Sequence, residues 1–127
     1  MILESYSYEI HSAILCYQYA ERIKSELIIA TKLLDGMTGL KDDELFGAEK
    51  LMSRFLDALL NEMETAFDVT KLRCFRDASL KVMETSGRIN LHEYTKANNC
   101  FAEATSFVTS CAQQAFQLLK EKGYLPK

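Results

Sequence analysis

Apolar residues recur at alternating steps of three and four along most of this chain, the period of a helix buried on one face. Tyr6, Ile10, Ala13, Tyr17, Ala20, Leu27 and Leu34 form the first stripe, widened by Leu3, Ile14, Ile23 and Ala30. The spacing predicts a helix over 3–35, closed by Gly36 and Gly39. Asp42-Asp43-Glu44 then supplies carboxylates suited to a helix N-terminus. Leu45, Ala48, Met52, Phe55, Leu59, Met63 and Ala66 continue a second helix over 42–67.

The next boundary has no Gly or Pro. Asp68 is read as a cap, with a third helix over 69–86 whose inner face carries Leu72, Phe75, Ser79 and Val82. The alternative is one continuous or kinked helix through both segments. Ser86-Gly87 reads as a stop, and Asn90-Leu91-His92-Glu93 reads as a capping box with Ile89 and Tyr94 as its hydrophobic staple. A fourth helix over 91–121 follows, with small residues (Ala97, Ala104, Cys111, Ala115) alternating with Phe101, Val108 and Leu118. Small positions let a neighbouring helix come close. Gly123 and Pro126 end it. Short connections favour antiparallel neighbours, so the expectation is an all-α, up-down-up-down four-helix bundle forming a single domain over 1–127.

Composition narrows the function without naming it. The 127 residues carry 15 basic and 18 acidic side chains, a net charge of −3, which argues against a general polyanion binder. The imbalance is local. Residues 42–68 hold two basic and eight acidic side chains, whereas 69–88 hold five and two. That contrast most simply sets helix pairing; the alternative is a nucleic-acid patch of Lys71, Arg73, Arg76 and Lys81, extended by Arg88. Cys16, Cys74, Cys100 and Cys111 are scattered without a Cys-x-x-Cys pair, and all four are expected as reduced thiols acting as small hydrophobes. No leader is read at the N-terminus and no stretch approaches the roughly 20 apolar residues of a membrane span, so a cytoplasmic protein is expected.

Chemistry is sparse. Neither His11 nor His92 follows a Glu at three residues, as a di-iron bundle requires, and no metal or other cofactor is expected. His92 with Lys96 lies in a first helical turn, unlike the open mid-helix His of a phosphorelay bundle, and His11 is expected to be a half-buried structural residue. The run Arg88-Ile89-Asn90-Leu91-His92-Glu93-Tyr94 resembles the Arg-(four to six residues)-His motif of the HEPN-family helical ribonucleases, some of which continue His-x-Tyr. The resemblance covers seven residues and departs from the motif in having three, not four, between Arg88 and His92. It implies a guanidinium at Arg88 that stabilises phosphorane charge and an imidazole at His92 that moves protons, usually across a dimer.

The other signal is surplus apolar surface. Tyr8 and Tyr19 project away from the first stripe, and Leu15, Ile28, Ile29, Leu56, Leu60 and Phe107 lie off the narrow seams. Rings and aliphatic groups outside a core mark contact surfaces, here assigned to Tyr8, Leu15, Tyr19, Ile28 and Ile29. The sequence therefore reads as a non-catalytic protein working by contact with itself or with another protein. The alternative is an RNA-acting bundle using Arg88 and His92.

Overall fold

A computed structural model describes the backbone of residues 2–124 and the side chains of 9–124, leaving the Tyr8 side chain outside the described residues. Four helices follow in order: α1 (Ile2–Met37), α2 (Asp42–Thr70), α3 (Arg73–Asn90) and α4 (Tyr94–Glu121). Among the described residues there is no strand. Each helix packs against two others, α1 on α2 and α4, α3 on α2 and α4. This is the expected all-α four-helix bundle, with antiparallel neighbours joined by short turns.

Side-chain size sets how closely the helices approach. α4 turns Ala97, Ala104, Cys111, Ala112 and Ala115 inward, and α1 answers with Ala13, Cys16, Ala20 and Ala30. Backbones separated by methyl groups come close, so α4 packs most tightly on α1 and α3. α2 turns in Met52, Leu56, Leu59 and Met63, with only Ala66 small, and it stands farther off both neighbours. Phe75, Phe101, Leu27 and Val108 fill the centre, all fully buried. Thr85, the one buried polar residue described, satisfies its hydroxyl on the Lys81 carbonyl at 2.8 Å.

Several helix ends differ from expectation. α2 runs through Asp68, which caps nothing, and stops at Lys71, whose φ of +59° is left-handed. The Lys71 N–H donates to the Phe67 carbonyl at 2.7 Å, and half-buried Leu72 turns back onto the core. α2 and α3 are thus separate. α3 passes through Gly87 to Asn90 because Ile89 is buried and holds the last turn in place. Asn90 is therefore helical and the capping box does not form. The turn is made at His92 (φ +60°), and α4 begins at Tyr94, three residues later than expected. α1 likewise continues past Gly36 to Met37. The α2 carboxylates Asp42, Asp43 and Glu44 occupy the first turn, but no side chain caps it. On α3 the inward residue is Ala78, not Ser79, and on α4 Leu119 is buried more deeply than Leu118. His11 is exposed, not half-buried, and Leu56 belongs to the core.

The cysteine expectation is corrected too. Cys74 and Cys111 are joined as a disulfide with Cα atoms 6.0 Å apart, while Cys16 and Cys100 are free thiols. Sequence spacing alone could not pair them, because the bundle brings residues 37 apart into register.

Candidate functional site

The α3–α4 turn collects the polar residues singled out in the sequence. His92, 63% exposed, places Nδ1 3.1 Å from Glu49 Oε2 on α2 and 3.3 Å from the Tyr94 hydroxyl. Tyr94 donates its hydroxyl proton to the same Glu49 oxygen at 2.8 Å. Burial, then the Glu49 carboxylate, push the Tyr94 phenol up to about 12. Arg88 is held separately, with Nη1 3.1 Å from Glu93 Oε1, while Lys96 reaches Glu93 Oε2 at 2.8 Å. Hydrogen bonds from Lys96 and then Arg88 keep the Glu93 carboxyl below its ordinary value. Arg88 and His92 are thus neighbours in the turn, but each faces a carboxylate of its own. Glu49 was not singled out in the sequence. Its signal was an acidic residue bordering the Leu45–Ala48–Met52 stripe.

The four basic patch residues divide. Lys71 and Arg76 lie over the Phe67 ring at 5.9 and 5.6 Å, and Arg73, 89% exposed, has Asp77 3.8 Å away. Lys81 points elsewhere, reaching Glu103 at 2.8 Å and Glu84 at 3.6 Å. Glu84 also accepts the Cys100 thiol at 3.0 Å. Burial and then this carboxylate raise Cys100 to about 11, so it is a protonated thiol near neutrality. Among the described residues, no three of His, Cys, Asp or Glu gather where they could hold a metal ion.

The contact residues divide as well. Tyr19 is half-buried against the core, and Arg22 lies over its ring at 5.3 Å. Leu15 is half-buried, whereas Ile28 and Ile29 are exposed. One turn beyond Ile29, Leu33 is exposed and borders a groove of about 460 Å³ between α1 and α2. Met37, Leu40, Ala48, Met52 and Phe55 line it. At its edge stands Leu51, 72% exposed, the most exposed of the large apolar side chains described. The bulky α2 seam produces this opening, since it keeps α2 from closing onto α1. Sequence periodicity missed Leu33 and Leu51 because each sits only slightly outside a regular stripe.

Farther along the same two helices, exposed Arg22 pairs with Glu62. Glu26 lies beside that pair. Burial, then the neighbouring Glu62 carboxyl, push it up to about 7 against the pull of Arg22.

The fold defines the class, an all-α four-helix bundle, and none of its described helices is long and apolar enough to cross a membrane. Compared with family models, with curated proteins and with solved structures, the chain has no match in any of the three. The HEPN resemblance therefore stands on its seven residues alone.

Proposed function

We propose that this protein is non-catalytic and works by contact, pairing with a second copy of itself across the α1–α2 groove. The observation that carries the reading is a knob beside a hole. Leu51 protrudes next to the groove floored by Ala48, Met52 and Phe55. A twofold contact requires both features on one surface, so that each copy's knob fills the other's hole. Ile29 and Leu33 extend the apolar strip along α1. The polar cluster at Glu49, His92 and Tyr94 lines none of the described cavities, which supports contact over catalysis. A cytoplasmic setting belongs to the same proposal; the two free thiols fit it, whereas the Cys74–Cys111 disulfide is a feature of oxidising compartments and weighs against it.

Fully burying a Leu side chain stabilises by about 1.5–3 kcal/mol. For Leu51, about three-quarters of that remains to be gained, roughly 1–2 kcal/mol per copy and about 2–4 kcal/mol per twofold pair. Leu51→Glu is therefore expected to weaken association at least about 30-fold, with helix content unchanged. Light scattering across a concentration series reads this directly. Equal association by Leu51→Glu and the parent would overturn the assignment of the face.

The RNA-acting alternative draws on Lys71 and Arg76 over Phe67 and on exposed Arg73. It would also need phosphate to displace Glu93 from Arg88 and Glu49 from His92. RNA cleavage abolished by His92→Ala would favour it, and cleavage unaffected by that change, or none at all, would remove it.

A further inference from the structure

Helix lengths leave a step at one end of the bundle. α1 is 36 residues long, about 54 Å, and α3 only 18, about 27 Å. Past the α2–α3 turn, α1 and α4 continue together, held by Ile10, Ala13 and Leu119. Three sulfurs lie at this step. Cys74, in the first turn of α3, is bonded to Cys111 of α4. Cys16 of α1 directs its thiol at the carbonyl oxygen of the same Cys111, 3.5 Å away.

We propose that Cys16, Cys74 and Cys111 form a thiol–disulfide exchange site, in which Cys16 displaces Cys74 from Cys111 and frees a Cys74 thiol able to react with low-molecular-weight disulfides. In the step, Cys16 loses its proton and its sulfur bonds to Cys111 Sγ. The Cys74–Cys111 bond breaks, and Cys74 leaves as a thiolate that takes up the proton. One disulfide and one thiol stand on each side, so no oxidant is consumed. The cross-link moves from α3–α4 to α1–α4.

Three features support this site over a purely structural disulfide. Cys111 lies on α4, which packs closely against both α1 and α3, so either partner can reach it. Cys16 lies on the wall of a cavity of about 260 Å³ formed with Ser12, Leu72, Gln114 and Leu118, which gives its side chain room to turn. Cys74 is half-buried while Cys16 and Cys111 are buried, so the sulfur released is the one nearest solvent. Burial holds the Cys16 thiol up to about 11, which makes exchange slow at neutral pH and faster as pH rises. Glu9 is the other ionisable group on that cavity wall.

The test is disulfide mapping of the full chain by mass spectrometry, after quenching with a maleimide at pH 7.5 and at pH 9.5. The expected result is Cys74–Cys111 at the lower pH. At the higher pH, Cys16–Cys111 should appear and Cys74 should carry the label. Cys16→Ser should keep Cys74–Cys111 at both. Cys74→Ser, treated with oxidised glutathione, should close Cys16–Cys111. The proposal is overturned if the parent never forms Cys16–Cys111, or if Cys100 joins the exchange to the same extent, which would indicate scrambling through unfolding. A helical Cys74→Ser that leaves Cys16 unlinked overturns it as well.

Discussion

Replacing Glu26 by Gln isolates a carboxyl whose proton is held between α1 and α2. Glu26 ordinarily titrates near 4.5 and is held at about 7 in the bundle, because burial and the Glu62 carboxyl both oppose its charge. A difference of about 2.5 pH units is worth about 3 kcal/mol at 1.36 kcal/mol per unit, and partial solvent contact reduces this to roughly 2 kcal/mol. The folded value lies above the unfolded one, so folding favours the protonated form. The stabilisation is complete below about pH 4.5 and is lost as pH rises through 7. Gln keeps the neutral shape and does not titrate. Urea unfolding followed by circular dichroism at pH 5.0 and 8.5 measures the effect. Part of the effect is already lost at pH 5.0, so between those pH values the parent should lose about 1–1.5 kcal/mol more stability than Glu26→Gln. Parallel profiles, within about 0.5 kcal/mol, would refute the reasoning and place Glu26 in ordinary solvent.

Other outcomes follow from packing and backbone geometry. Gly87 is helical, with open space where a Cβ would lie, so Gly87→Ala should raise stability by about 1 kcal/mol in thermal or urea unfolding. Lys71 is left-handed and makes no ion pair among the described residues, so Lys71→Gly should gain about 1 kcal/mol in the same assay. Ala104→Leu should cost about 1–3 kcal/mol by forcing α4 off its neighbours, whereas exposed Ala102→Leu should stay within about 0.5 kcal/mol. Reduction of Cys74–Cys111, which closes a loop of 37 residues, should lower stability by up to about 4 kcal/mol.

The elements of the fold were legible because stripe residues such as Leu27, Leu59, Val82 and Val108 keep the helical period, and all four are buried. The turns were not. Lys71 and His92 adopt left-handed backbone that sequence rules assign to glycine, while Gly87 sits inside a helix. Tertiary packing decides both cases: Leu72 and Ile89 must reach the core, and the chain bends where that allows. For the same reason the Asn90–Glu93 box was a sound local pattern that burial of Ile89 overrode. Of the candidate residues, Arg88 and His92 do share a turn with Glu93, but the carboxylate facing His92 is brought in by folding, Glu49 from 43 residues away. Of the α1–α2 groove the sequence marked Ala48, Met52 and Phe55 as stripe residues and Ile29 as an exposed neighbour one turn from Leu33, but not the opening between them. Leu33 and Leu51 gain their meaning from the spacing between two helices, which follows from the size of Met52, Leu56 and Met63 together.

The most direct measurement is sedimentation velocity of the purified chain from about 1 to 100 μM. The account expects a concentration-dependent shift to a species of twice the 14.5 kDa chain mass, abolished by Leu51→Glu. A single 14.5 kDa species throughout that range would contradict it.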